Sequence, residues 1–351
     1  MDCGRTFIAI ERIHPVKGMM LLIIKERKKS DFILSMNALL RRLPQSHPKR
    51  GLIEGDLAKR KAGVRGEEAV DYFLKDLPGF ILLKDIRHSN GTGDFYQIDV
   101  LLMCSNFLLI LEIKNISGTI YFDPAFNQLI QSKQEIERGF LDPLIQAKRQ
   151  QKELAKWIAA MNICIPIEYL VVISNPSTII KTSSYHKLAL EKVLHASQLR
   201  DRIEKLKEKY PLEKLTYRDI KKLSRAITKK HIPANYNILK YYDMDIKEII
   251  TGIQCPACSR FSMKRVRGTW KCSSCQSADK EAHIRTLHDY LLLISSSITN
   301  QQFREFTHLS SSNIEKKLLT GMKLPYSGSF KDRSYQLSAD FFEGIHFTGR
   351  K

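Results

Sequence analysis

The stretch Tyr96–Asn115, YQIDVLLMCSNFLLILEIKN, constrains this chain more than any other. Two apolar runs flank a Ser105-Asn106 pair. Each run is too short for a typical helix and too apolar for a surface, so the stretch predicts a β-hairpin within a core. Alternation along a strand puts Gln97 and Asp99 on one face of the first run, and Glu112 and Lys114 together on one face of the second. Carboxylates on adjoining buried strands are costly unless positive charge sits between them. A divalent cation held by oxygen ligands would supply that charge, with Lys114 as a fixed charge beside it. This is the arrangement a metal-dependent phosphodiesterase needs. The plain alternative is a solvated face carrying all three charges.

The elements around the hairpin read as an α/β unit. Asp31–Leu43 has helical periodicity through Ile33, Leu34, Leu39 and Leu40, and Pro44 stops it. A second helix starts near Leu52 and is expected to reach Leu77 with a break. Over Arg65–Leu77 its apolar face is Val70, Phe73, Leu74 and Leu77, and Glu67 points with that face, while Glu68 aligns with Asp71, Tyr72 and Lys75 on the wet side. A Glu aimed inward from such a helix is a third acidic candidate; a helix-dipole role is the alternative. Phe80–Ile86 reads as a strand, His88–Asp94 as a turn and Thr119–Phe122 as a short extended piece. Asp142-Pro143 opens a helix over roughly 144–160, with Gln146, Arg149 and Gln150 on one side and Leu154 and Trp157 as core candidates. Ile167–Ser174 is a buried strand. Strand, hairpin, helix and strand fit a mixed sheet with helices on its faces.

At this point the residues resemble a known family. Gly63-Val64-Arg65-Gly66-Glu67, Gln97-Ile98-Asp99, Glu112-Ile113-Lys114-Asn115 and Asp142-Pro143 with Gln146 together resemble the NERD (nuclease-related) domain, over roughly 62–177. That domain is grouped with the restriction-endonuclease-like PD-(D/E)xK superfamily. The resemblance implies that Asp99, Glu112 and the carbonyl of Ile113 bind Mg²⁺ or Mn²⁺. It implies that Glu67 completes the shell directly or through water. Lys114 would orient the water and stabilise negative charge, and Gln146 would position the lysine, water or phosphate. The implied activity is cleavage of DNA, in processing, repair or defence. A DNA-binding protein that uses the same fold without cleaving is the alternative, and a zinc-dependent adaptor is a third reading. Ile98 stands before Asp99, where a Pro is familiar in the wider superfamily.

The rest of the chain adds smaller modules. Leu188–Lys247 is helical and charged, a spacer or a completion of the first domain. Cys255–Cys275, CPACSRFSMKRVRGTWKCSSC, has two CxxC pairs separated by a hairpin-length insert. This is the spacing of a structural four-cysteine zinc site, with Cys255, Cys258, Cys272 and Cys275 as ligands, and it resembles a zinc ribbon. Lys264, Arg265, Arg267 and Lys271 interleave with Trp270 and suit a nucleic-acid backbone. Further on, Ala282–Ile294, Gln301–Thr307 and Ser312–Met322 read as helices, and Ser334–Leu337 as a strand after a turn. Three helices and a hairpin resemble a winged helix-turn-helix. Its third helix would present Asn313, Lys316 and Lys317 to a groove, and its wing Lys331 and Arg333.

Composition agrees with this division. The chain has 351 residues, a length for about two or three domains. Its formal charge of +20 points to a polyanion, nucleic acid before membrane. No apolar stretch is long enough to span a bilayer, and Met19–Ile24 is followed at once by charged residues. The beginning lacks the order of a signal peptide, and residues 1–18 read as a dispensable extension. Cytoplasmic location is the expectation. The expected parts are a basic helical lead-in at 1–50, the nuclease-like domain at 51–180, a charged helical connector at 181–250, the zinc ribbon at 251–280 and a winged-helix-like α+β module at 281–345.

Overall fold

Strands Phe95–Met103 and Leu108–Lys114 form the expected hairpin, turning at Ser105-Asn106. The computed structural model describes residues 20–28, 30–234, 236–329 and 332–343. The expected extension at 1–18 and the wing residue Lys331 lie outside them. The described residues form two units, 20–28 with 61–234 and 30–60 with 236–343. The chain therefore does not divide in the linear order expected from sequence.

The first segments are β1 (Leu22–Lys25), α1 (Asp31–Arg42) and α2 (Arg50–Leu74). Then come β2 (Ile81–Ser89), the hairpin strands β3 and β4, β5 (Thr119–Asp123), β6 (Gln128–Lys133) and β7 (Ile136–Leu141). After α3 (Pro143–Ala159) follow β8 (Ile167–Ile173), β9 (Ile179–Thr182), α4 (Lys187–Lys192) and β10 (Val193–His195). Helices α5 (Leu199–Lys209) and α6 (Tyr217–Lys229) end the first unit.

Its main sheet is mixed and has the order β1-β2-β3-β4-β8-β10. Strands β2, β3 and β4 run antiparallel as a meander, while β8 lies parallel to β4. The helix α3 between β4 and β8 makes that parallel return possible. Asp142 accepts the Leu144 N–H at 2.8 Å, and Pro143 stands at the first helical position, so the sequence fixes the start of α3. A second sheet, β7-β6-β5-β9, was foreseen only at β5.

Helices cover both faces of the main sheet. One face carries Leu83, Leu101, Ile110 and Val171 under α3 (Leu144, Ala147, Leu154) and α6 (Ile220, Leu223, Ile227). The other carries Leu102, Leu109 and Leu111 under α2 (Val70, Leu74) and α5 (Leu199, Ile203, Leu206). Each of the Val, Leu and Ile side chains among these contributes about 1.5–3 kcal/mol through burial. Residues 181–234, expected as a connector, thus supply a sheet strand and a helix for each face. Helix α2 runs without the expected break despite Gly55, Gly63 and Gly66.

In the second unit, α1 and the first half of α2 share a core with the C-terminal residues. Arg42 explains why. It is fully buried, donating to Asp289 at 2.8 Å and to the carbonyls of Ile250 at 2.8 Å and Gly252 at 3.2 Å. A buried guanidinium requires those partners, so the lead-in helix belongs with them. The remaining elements are α7 (Ile238–Tyr241), a three-stranded sheet of β11 (Met263–Val266), β12 (Thr269–Cys272) and β13 (Ala278–Asp279), and then α8 (Ala282–Leu293). Strand β14 (Ser297–Thr299) leads into α9 (Asn300–Thr307), which Thr299 caps. Then follow α10 (Ser312–Gly321), β15 (Tyr326–Ser327), β16 (Ser334–Gln336) and α11 (Ala339–Glu343). These strands pair as β14-β16-β15, so the three helices and the hairpin were foreseen and β14 was not.

One buried ion cluster tests the first unit. Burial pushes the Glu168 carboxyl up, but hydrogen bonds from Lys192, Lys209 and Tyr210 outweigh it and hold it at about 2. Its folded-state pKa is below the unfolded value. Its stabilisation is therefore complete above about pH 4.5 and lost as pH falls toward 2. Glu168→Gln is expected to destabilise the protein by about 3 kcal/mol at pH 7 and to flatten acid unfolding between these values, as followed by denaturant melts across pH.

Candidate active site and candidate metal centre

The ladder between β3 and β4 ends at Val100 and Leu111. Extending that register places Asp99 opposite Glu112, just where the two strands part. The Asp99 carboxylate accepts the Ile113 N–H at 2.8 Å. Beyond the fork, β4 stays paired to β8 through Lys114. The fork is irregular on its other side too. Asp85, opposite Asp99 in the register of β2, has φ 52°, a left-handed conformation unusual for a non-glycine residue. Its carboxylate accepts from Gln97 at 2.7 Å.

Glu112 follows Leu108 and Ile110 toward α3 and is 1% exposed. Two groups satisfy it there. Lys114 lies 2.6 Å from one carboxylate oxygen, and Gln150 donates to the other at 2.6 Å. Lys114 also donates to Gln146 at 3.1 Å. Gln146 and Gln150 are one helical turn apart on α3, so one helix face holds the lysine and the glutamate together. Sequence placed Gln150 beside Gln146 but gave it no role. The single side-chain oxygen of Gln150 is buried with no hydrogen-bond partner among the described residues.

Glu67 reaches the same region from α2. Gly66 permits that approach, because a Cβ there would overlap Asn115 Cβ and lie 2.7 Å from Ser174 Oγ. Glu67 is held by Arg27 at 2.7 Å, and Arg27 also pairs with Asp71 at 2.7 Å. Asp71 pairs in turn with Lys84 at 3.0 Å, so it is not on the wet face assigned to it from sequence. Arg27, Asp71 and Lys84 had no sequence signal, since they lie after β1, on α2 and on β2, segments that only the fold brings together.

Electrostatics follow from this packing. Desolvation, then the neighbouring Glu112 and Glu67, push the Asp99 carboxyl well above its ordinary range, against the Ile113 N–H and Lys114. Desolvation also raises Glu67, with Arg27 opposing it. A cation beside Asp99 would relieve both effects. Asp99, Glu112, Lys114, Gln146 and Gln150 therefore form one group. Glu67 is near enough to act on Asp99 electrostatically, yet the three acids do not close into a ligand set. Among the described residues only the four cysteines bring three or more ligand atoms within 4.8 Å of one another.

Those cysteines are Cys255, Cys258, Cys272 and Cys275. Cys255 and Cys275 sulfurs lie 3.6 Å apart, as do those of Cys258 and Cys272. These separations are far too long for a disulfide. They approach the roughly 3.8 Å between sulfurs of a tetrahedral site with metal–sulfur bonds of about 2.3 Å. The four thiols could hold a metal ion. The insert forms the expected hairpin, turning at Arg267 and Gly268, both at positive φ.

The basic residues there divide by face. Lys264 pairs across the hairpin with Lys271, and both are exposed. Arg265 is opposite Trp270, lies over its ring at 5.2 Å and bonds to the Lys280 carbonyl. Trp270 itself is buried and donates to His283 at 3.2 Å. It is a core residue, not a stacking platform among the basic side chains. On α10, Asn313, Lys316 and Lys317 are exposed. Arg333 lies 4.4 Å from the centre of the Tyr326 ring.

Residues 62–174 match the family model described as the nuclease-related domain, NERD. No curated protein and no solved structure matches the chain. No helix among the described residues is long and apolar enough to cross a membrane.

Two glycines of α2 make the packing argument testable. Gly66→Ala is expected to destabilise the protein by about 1–3 kcal/mol, because Asn115 and Ser174 occupy the space. Gly63→Ala meets open space and is expected to stabilise by about 0.5–1 kcal/mol. Thermal or denaturant unfolding of the two variants checks both signs.

Proposed function

From a chain whose residues 62–174 form a nuclease-related domain, we propose a metal-dependent nuclease that hydrolyses DNA phosphodiester bonds. The observation that carries this reading is the meeting of Asp99, Glu112 and Lys114 where β3 and β4 part. The donors suit Mg²⁺ or Mn²⁺, since the acids offer only oxygen and Asp99 is destabilised by its anionic neighbours. Such an ion supplies a water of lowered pKa and neutralises phosphate charge.

The chain's own residues do the rest. Asp99 and Glu112, with the carbonyl of Ile113, would hold the ion. Gln150 fixes the Glu112 rotamer. Lys114 moves from Glu112 to the phosphate, where its charge meets the developing negative charge, and Gln146 keeps it aligned. Glu67, tied to Arg27, acts through water. Zn²⁺ on Cys255, Cys258, Cys272 and Cys275 is structural, since four sulfur ligands leave no open position. Lys264 and Lys271, like charges facing each other across a hairpin, are repulsive unless they share an anion, which suits a phosphate. We read 282–336 as a winged helix that presents α10 to a DNA groove, with Lys316, Lys317 and Arg333 near the backbone.

A second reading has its own support. Lys114 and Gln150 already satisfy Glu112, as they would in a DNA-binding protein that does not cleave. Cleavage of several DNA forms with Mg²⁺ or Mn²⁺ separates the two. The wild type is expected to cut. Asp99→Ala and Lys114→Ala are expected to lower the rate by about 100-fold or more while still binding DNA. Equal rates in all three proteins, or no cleavage by any, would end the catalytic reading.

Metal analysis addresses the cysteines separately. About one zinc per chain is expected, lost in a Cys255→Ser/Cys258→Ser variant together with much of the stability of its unit. Zinc-free protein with an unchanged melt would contradict this assignment.

A further inference from the structure

Helices α5 and α6 carry the same number of cations but use them differently. In α5, five cations stand with three acids, Asp201, Glu204 and Glu208. Lys207 pairs with Glu204 at 2.9 Å, Lys209 with Glu168 at 2.8 Å and Arg200 with Asp76 at 3.7 Å. Arg202 bonds to the Glu191 carbonyl. In α6, five cations stand with one acid, Asp219, whose carboxylate accepts from the capping Thr216 hydroxyl at 2.6 Å. Arg218, Lys222, Arg225 and Lys229 are exposed and form no ion pair among the described residues. Their spacings of four, three and four residues make one stripe along the helix, about 17 Å long.

The two helices lie on opposite faces of the main sheet. The largely paired α5 covers the face away from Glu112 and Lys114. The unpaired stripe belongs to the helix on the face that carries them. There α6 packs through Ile220, Leu223 and Ile227, and its Ile227 carbonyl bonds to His88 on β2 at 2.8 Å. Like charges repeated at helical spacing repel and give the isolated fold nothing. A polyanion would turn that repulsion into binding.

We propose that the outer face of α6 is a phosphate-backbone contact for duplex DNA, made by Arg218, Lys222, Arg225 and Lys229. The stripe matches the length of about five base pairs, a dense line of negative charge. A membrane surface is the weaker fit. An interfacial helix needs an exposed apolar face, and the apolar residues of α6 are spent on the sheet. The choice of DNA rests on the nuclease reading, but the surface itself does not require catalysis.

The test uses the full chain, a duplex without added Mg²⁺ or Mn²⁺, and binding measured across salt concentrations. Loss of the cleavage reading would then leave this result intact. In an Arg218→Gln/Lys222→Gln/Arg225→Gln/Lys229→Gln variant, the slope of log affinity against log salt is expected to shrink by roughly 3 to 4. A matched α5 variant, Arg200→Gln/Arg202→Gln/Lys205→Gln/Lys207→Gln, is expected to keep the wild-type slope. If the α6 variant does not fold, Lys222→Gln and Arg225→Gln alone are each expected to lower the slope by about one. Equal slopes for the α5 and α6 variants would overturn the proposal. So would an unchanged DNA slope with variant-sensitive binding to vesicles of anionic lipid.

Discussion

A carboxylate inside a sheet needs partners that a core does not provide, and Glu112 meets that requirement on β4. Lys114 comes from the same strand, two residues on, because alternate side chains share a face. Gln150 comes from α3, which must cross back over the sheet so that β8 can lie parallel to β4. The strand order and the satisfaction of one buried charge are thus the same feature. The parting of β3 from β4 then leaves the Ile113 N–H without a ladder partner, and Asp99 takes it. A site of two acids, a lysine and two glutamines follows from these few constraints.

Charge is distributed with equal economy. Buried ions are paired locally: Glu168 with two lysines, Arg42 with Asp289, Glu67 and Asp71 with Arg27. Such pairs hold elements in place more than they add stability. Arg42 binds α1 to residues some 200 positions later, so chain order and structural unit differ. The excess positive charge is left on exposed faces, the α6 stripe and the Lys264–Lys271 pair among them.

Much of this was legible in the sequence because strong patterns carried it. The hairpin, α3 with its Asp-Pro start, β8, the cysteine spacing and the Thr299 cap all have local signals. Strands β6 and β7 had none. Neither alternates cleanly, β7 is exposed throughout despite Ile136, Phe140 and Leu141, and their turn uses Gln134 and Glu135 at positive φ in place of Asn-Gly. β1 and β10 are too short to show a period. A break was expected in α2, yet packing at Val70 and Leu74 outweighs the weak helix preference of its glycines. At the site, the grouping of Asp99, Glu112 and Lys114 was readable from alternation. The pairing of Glu67 with Arg27 was not, since it joins α2 to the irregular segment after β1, some forty residues apart. Trp270 misled, because a basic flank around an aromatic looks alike whether the ring faces solvent or a His in the core.

The proposed chemistry requires the fork between β3 and β4 to be a cation site. A crystal soaked in Mn²⁺, with data collected at the manganese absorption edge, tests it most directly. The expected result is an anomalous peak bound by Asp99 and Glu112, with Lys114 withdrawn from Glu112. Manganese bound only elsewhere, with the Lys114–Glu112 pair intact, would contradict it.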